Sequence, residues 1–159
     1  MKSVIIYASY HHNNTRKIAE VIGEKLNAKF IPANQAAHTD ITEADLIGFG
    51  SGIYYSRFHK SLLNFIKNLP VQENKKSFLF STAGMKKNIL FNRGHKSAKK
   101  ILKNKGFKII GEFDCPGYDT NSFLKAVGGI NKGRPDRRDL ENAENFAEEI
   151  KTAFSKNIL

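Results

Sequence analysis

Apolar residues come in short blocks that follow two different rhythms. Val4-Ile5-Ile6-Tyr7-Ala8 is continuously apolar, as a strand covered on both faces should be. From about Asn14 to Leu26 the rhythm changes. Ile18, Ile22 and Leu26 recur at every fourth position with Ala19 beside them, the single apolar stripe of a helix. Ala28–Ile31 reads as a weak second strand stopped by Pro32, Ala44–Gly50 as a third, Ser77–Ser81 as a fourth and Phe107–Phe113 as a fifth. Helices are predicted over Ser56–Leu69, with Phe58, Leu62, Phe65, Ile66 and Leu69 on one side, and over Lys96–Lys105 around Ala98, Ile101 and Leu102. A last helix runs from about Arg137 to Phe154, with Leu140, Ala143, Ala147, Ile150 and Phe154 inward. Pro135 and Asp136 stand where its start signal belongs.

This alternation predicts an α/β fold, an open and mostly parallel sheet with helices on both faces. The 159 residues amount to a single domain, 1–159. In such a sheet the loops leaving the C-terminal strand ends share one edge, where ligands bind. That edge collects Ser9–Thr15, Gly50–Ser56, Ser81–Arg93 and Asp114–Pro135. The last is too long for an ordinary connection, and such loops are usually functional.

The first loop reads Ser9-Tyr10-His11-His12-Asn13-Asn14-Thr15. It holds no glycine, so it is not a dinucleotide fingerprint, and no Gly-Lys-Ser/Thr, so it is not a Walker loop. It also lacks the acids of a phosphoryl acceptor. What remains is a cup of hydroxyls, amides and imidazoles at a helix start. Free backbone N–H groups and the helix dipole favour an anion there. Neutral donors on Ser9, Asn13, Asn14 and Thr15 suit a phosphate that is bound and not transferred. A bare helix cap on Asn14 or Thr15 explains one such residue, not the whole run. Neighbouring histidines point apart and no other His or Cys lies at ligand spacing, so His11-His12 does not read as a metal site.

At this point the chain resembles the flavodoxin family, whose phosphate loop is Ser/Thr-x-Thr-Gly-Asn-Thr. Ser9, Asn14 and Thr15 match its ends; His11-His12 replace its middle, and the loop is one residue longer. Gly50-Ser51-Gly52-Ile53-Tyr54-Tyr55 and Ser81-Thr82-Ala83-Gly84-Met85 agree with the family in order and place. The resemblance implies a three-layer flavodoxin-like sandwich with a five-stranded parallel sheet in the order 2-1-3-4-5, and non-covalent flavin mononucleotide (FMN). It implies that Ser9, His11, His12, Asn13, Asn14 and Thr15 surround the phosphate. Ser51, Gly52, Ile53 and Tyr54 would run along one face of the ring, with Tyr54 the first choice for stacking and Tyr55 the second. A peptide at Gly52 would reorient toward flavin N5 on reduction. Ser81, Thr82, Ala83 and Gly84 would meet the pyrimidine edge through their backbone.

The long loop is less informative. A phosphatase of Cys-x5-Arg type needs Arg at the position of Asn121, so Cys115 reads as a small buried residue. Residues 128–135 contain three glycines, with Lys132 and Arg134. Those cations could face an anionic partner or substrate, or the segment could be an ordered turn capping the last helix through Asp136.

Charge adds one departure. The net charge is +11, a balance that favours nucleic acid, an anionic membrane surface or an acidic partner. Lysines and arginines are spread along the chain, and Lys96–Lys105 reads as the wet face of a helix. Flavodoxins are typically acidic, so the resemblance with reversed charge implies a redox partner with an acidic or anionic surface, or a small-molecule electron acceptor. The expected function is FMN-dependent electron transfer. Two alternatives stand beside it: a flavin-dependent oxidoreductase acting on a quinone or porphyrinogen-type molecule, and a basic nucleic-acid or anionic-partner module without flavin. No apolar run approaches the roughly 18 residues of a membrane span, no signal-peptide pattern opens the chain, and a single Cys115 forms no internal disulfide. A cytoplasmic protein is expected, monomer or homodimer.

Overall fold

The computed structural model describes residues 1–84, 90–120 and 128–156. Met85, Asn121 and the rest of residues 85–89 and 121–127 lie outside them. The elements are β1 (Ser3–Ala8), α1 (Asn14–Leu26), β2 (Ala28–Pro32), α2 (His38–Thr42), β3 (Leu46–Tyr54), β4 (Arg57–Phe58), α3 (Lys60–Asn68), β5 (Lys75–Ala83), α4 (Leu90–Asn104), β6 (Phe107–Pro116) and α5 (Arg137–Lys156). The main strands pair in parallel in the order β2-β1-β3-β5-β6, and β4 lies antiparallel on β3. With β4 set aside, this is the expected 2-1-3-4-5 order.

Strand alternation splits the sheet into two apolar faces. Ile6, Ile47, Phe49 and Leu79 turn toward Leu62 and Ile66 of α3 and Ala98 and Leu102 of α4. Ile5, Leu46, Phe78 and Phe80 turn toward Ile18 and Ile22 of α1 and Ala143 and Ile150 of α5. Each large side chain so buried contributes roughly 1.5–3 kcal/mol. The second face is packed tightly through glycines. A Cβ on Gly48 would lie 2.4 Å from the Phe78 ring, and one on Gly50 would lie 2.0 Å from the Phe80 ring. Gly50 therefore makes room in the core rather than opening a loop.

The structure corrects the boundaries near the ligand edge. Residues 50–54 are not a loop: β3 runs through Tyr54 and returns as β4, with Ile53 opposite Phe58 and Tyr54 opposite Arg57. The turn between them is Tyr55-Ser56, both at positive φ (47° and 61°), as a two-residue type I′ hairpin requires. Neither residue is the Gly or Asn that normally announces such a turn, which hid it in the sequence. Phe58 is therefore a strand residue. α3 begins later than expected, at Lys60, after the His59 ring accepts the Ser61 N–H (3.2 Å). α4 begins earlier, at Leu90, and the short α2 was not foreseen.

Candidate functional site

The β1–α1 loop turns sharply at its crest, where His12 and Asn13 both adopt left-handed angles (φ 54° each). Asn13 occupies the N-cap of α1 without a side-chain cap hydrogen bond. Ser9 Oγ accepts the Arg16 N–H instead (3.3 Å). The backbone N–H groups of His11, His12, Asn13 and Thr15 have no protein acceptor among the described residues. Unpaired N–H groups at a helix start form a site for an anion. Asn14 and Thr15 do not cap the helix. Both are buried, and both reach across the site.

Those two contacts assemble the cleft. Thr15 Oγ1 lies 2.9 Å from Thr82 Oγ1 at the end of β5. Asn14 Nδ2 donates to the Tyr118 carbonyl (2.8 Å) beyond β6, while Asn14 Oδ1 is buried without a partner among the described residues. The cleft is lined by His11, Asn14, Thr15, Gly52, Ile53, Tyr54, Thr82, Ala83 and Gly84, together with Tyr118 and Asp119. Its free volume is about 30 Å³. Tyr54 folds over the Gly52 backbone, and Asp119 lies against Gly84, where a Cβ would meet its carboxyl oxygen at 2.4 Å. The Tyr54 ring stands 5.7 Å from the His11 ring and 5.2 Å from the His59 ring. Burial pushes its phenol above the usual value. Tyr55 instead points outward, 99% exposed.

Some of the expected site residues turn their side chains elsewhere. Ser51 is buried, accepts the His59 N–H (2.9 Å) and donates to the Gly52 carbonyl. Gly52 is thus a strand residue whose carbonyl is engaged, not part of a loose loop. Ser81 lies on the opposite face from Thr82, 2.8 Å from His95 Nε2. His95 Nδ1 is 2.9 Å from Glu112 Oε2, and Lys99 Nζ is 2.5 Å from Glu112 Oε1. Burial pushes the His95 imidazole below its ordinary value, partly offset by Glu112. A neutral imidazole fits these neighbours in one tautomer only: Nδ1–H donates to the carboxylate, and Nε2 accepts the Ser81 hydroxyl.

His11 and His12 diverge as adjacent residues must. His11 approaches Tyr54; His12 lies 4.3 Å from the Tyr118 ring, with Nε2 2.8 Å from Thr120 Oγ1. Tyr118, Asp119 and Asn131 were not foreseen. A bridge between Asp119 and Ile130 zips the described limbs of the long loop together, and Asn131 Nδ2 donates to the Gly84 carbonyl (2.6 Å). No periodic pattern marks these residues, because a single bridge has no period. Arg134 is structural. Its guanidinium forms two 2.5 Å hydrogen bonds with buried Asp139. Asp136 and Asp139 each accept the other's N–H (3.1 and 2.9 Å), the reciprocal bonding that starts a helix. The helix-capping reading of this segment holds for Arg134, while Lys132 remains exposed. Cys115 is a buried core residue packed on the α1–α5 face.

A family model described as a flavodoxin domain matches residues 4–120. The chain belongs to the flavodoxin family. An uncharacterized protein of Methanocaldococcus jannaschii is 45% identical over 150 residues, covering 94% of this flavodoxin-family chain and 98% of that one. Among solved structures, the flavodoxin of Streptococcus pneumonia TIGR4 superposes with a TM-score of 0.71 at 16% identity, over 96% of this chain and 99% of that one. The Flv1 flavodiiron core from Synechocystis sp. PCC6803 superposes with a TM-score of 0.72 at 14% identity, over 99% of this chain and 36% of that one. These likenesses show the flavodoxin fold. Membership of the family supports a flavin-binding, electron-transfer function. No helix among the described residues is long and apolar enough to cross a membrane.

Proposed function

We propose that the chain binds FMN non-covalently and carries electrons to or from a redox partner with an acidic surface. The observation that carries this reading is the set of N–H groups at His11, His12, Asn13 and Thr15 that lack an acceptor among the described residues, with His11 and Thr15 lining the cleft beside Tyr54. These groups supply the donors a phosphate needs, and the Ser9 hydroxyl and Asn13 amide add to them. The orphaned Asn14 Oδ1 is an acceptor for a hydroxyl of a sugar-alcohol chain. Tyr54 offers an aromatic plane at the edge of the cleft. Thr82, Ala83 and Gly84 present backbone groups at the opposite wall. Ser51 and Ser81 act through position: their hydroxyls hold the hairpin and β5 in place, so they support the site without touching the ligand. Bound FMN supplies the redox chemistry; the chain orients it and limits its exposure to water.

Flavin fluorescence during titration of the apoprotein tests this. FMN is expected to bind at least about tenfold more tightly than riboflavin, which lacks the phosphate; tenfold is about 1.4 kcal/mol. Equal affinity for the two removes the phosphate role of residues 9–15. Uptake of neither removes the flavin reading. Rapid oxidation of NADPH by a quinone without a partner protein would replace the carrier with a stand-alone oxidoreductase.

A further inference from the structure

The two helical layers that cover the sheet carry charge in opposite ways. On α1 and α5 four cations are matched by carboxylates, Arg16 with Glu20 (2.8 Å), Lys25 with Glu144 (3.1 Å), Arg137 with Glu141 (2.9 Å) and Lys151 with Glu148 (2.9 Å), while Lys17, Arg138 and Lys156 are exposed outside these pairs. On the other side Asp40 of the short α2 and Glu43 just beyond it pair with Lys29 and Lys2, and neither α3 nor α4 contains an Asp or a Glu. Lys60 and Lys67 of α3 and Lys96, Lys100 and Lys103 of α4 are exposed. None of these five is in an ion pair among the described residues, whereas Lys99 reaches the carboxylate of Glu112. Lys96 and Lys100, like Lys99 and Lys103, repel each other one helical turn apart. A surface that keeps such repulsion is relieved when an anionic surface covers it.

This layer is continuous with the cleft. The β3–β4 hairpin rests on α4, with Ile53 against Gly94, where a Cβ would meet its Cδ1 at 2.5 Å, and the Phe58 and His95 rings T-shaped with centroids 5.1 Å apart. The hairpin carries Tyr54 into the cleft, holds Tyr55 fully outward at its tip and leaves Arg57 exposed. An exposed aromatic ring bordered by cations matches the make-up of protein interfaces, where an aromatic anchors the contact and charges steer it. Among the residues whose side chains are described, the other exposed large apolar residues, Met1, Tyr10, Phe30 and Val71, lie outside α3 and α4.

We infer that the α3–α4 face, with the Tyr55 hairpin tip, is the docking surface for an acidic protein that exchanges electrons with the cleft. This rests on the electron-transfer reading above. The charged face accelerates encounter, and the hairpin brings the partner to the side of the molecule where Tyr54 borders the ligand.

The test uses the isotope-labelled, FMN-loaded chain with plant-type ferredoxin as an acidic redox protein, at low ionic strength. Amide shifts are expected on α3, α4 and residues 55–57. The triple variant Lys96→Glu/Lys100→Glu/Lys103→Glu is expected to bind ferredoxin at least about tenfold more weakly, with FMN affinity unchanged. The variant Lys17→Glu/Arg138→Glu/Lys156→Glu changes net charge equally on the other layer and, compared at about 0.1 M salt where screening confines charge effects to the contact, is expected to lose less than about threefold, because its charges lie across the sheet from the docking face. Equal losses in both variants, shifts on α1 and α5, or no association overturn the proposal. So does tighter binding, in the same buffer, to duplex DNA or to phosphatidylserine vesicles. Failure to bind FMN would instead sink the flavin reading, and the ferredoxin footprint on the flavin-free chain would still decide the docking surface.

Discussion

Ser81 and Thr82 are neighbours in β5, both buried, both hydroxylated, and their surroundings could hardly differ more. Strand alternation sends Ser81 to the α4 side and Thr82 to the α1 side. Around Ser81 the polar groups satisfy one another: Ser81 to His95, His95 to Glu112, Glu112 to Lys99. Around Thr82 they do not. Its hydroxyl meets Thr15, but the N–H groups beside Thr15 and the Asn14 Oδ1 lack protein partners among the described residues. A closed network stabilises a fold, whereas an open one is poised for a ligand. The Ser81–His95–Glu112 chain has the connectivity of a hydrolytic triad, yet Ser81 has no exposed surface for a substrate to reach. Its role is to hold the end of β5, and so the Thr82–Gly84 wall, in place.

The largest effect separates the two sides directly. His95→Ala leaves the Ser81 hydroxyl and the inner Glu112 oxygen without their partner and opens a cavity, so stability should fall by about 2–4 kcal/mol. FMN affinity should stay within about twofold, because no cleft group is removed. Denaturant midpoints and flavin titration read the two quantities separately, and a larger loss of affinity than of stability would break the comparison. Thr15→Val should behave the other way. It strands the Thr82 hydroxyl at a cost of about 1–2 kcal/mol and also lowers FMN affinity; unchanged affinity would show that the cleft does not use Thr15. Tyr54→Leu should weaken FMN by about 0.5–1.5 kcal/mol, whereas Tyr55→Ser should leave it unchanged; reversed results would assign the stack to Tyr55.

The smallest expected effect is a pH dependence. Folding holds the His95 imidazole below its ordinary value, while the unfolded chain takes up its proton as pH falls past about 6.5. The unfolded state then binds more protons, so stability is full above that pH and declines as pH falls through it. Denaturation midpoints of the wild type and of His95→Gln across this range measure the effect. Identical slopes would remove His95 as its source.

Much of this was legible in the chain itself. The apolar run at Val4–Ala8 and the stripe of Ile18, Ile22 and Leu26 encode burial with a strand or helix period, and both elements lie where those periods put them. Their order along the chain, with the right-handed crossover rule, leaves few sheets possible. Its place between the first strand and the first helix put the Ser9–Thr15 loop at the C-terminal edge of the sheet, where the structure has it.

Other features needed the folded chain. Tyr55-Ser56 adopts hairpin angles without turn residues because pairing of Ile53 with Phe58 holds it there. His95 finds Glu112 through the register of α4 on β6, and Asn131 finds Gly84 across a loop joined by one bridge. These contacts join residues far apart in sequence, and a slip of one residue in β6 would send the Glu112 side chain to the other face. The sequence by itself determined the main strands and long helices and their order. Tertiary structure alone decided which polar groups pair with each other and which, like Asn14 Oδ1, find no partner among the described residues, because hydrogen-bond satisfaction depends on distances that no local period encodes.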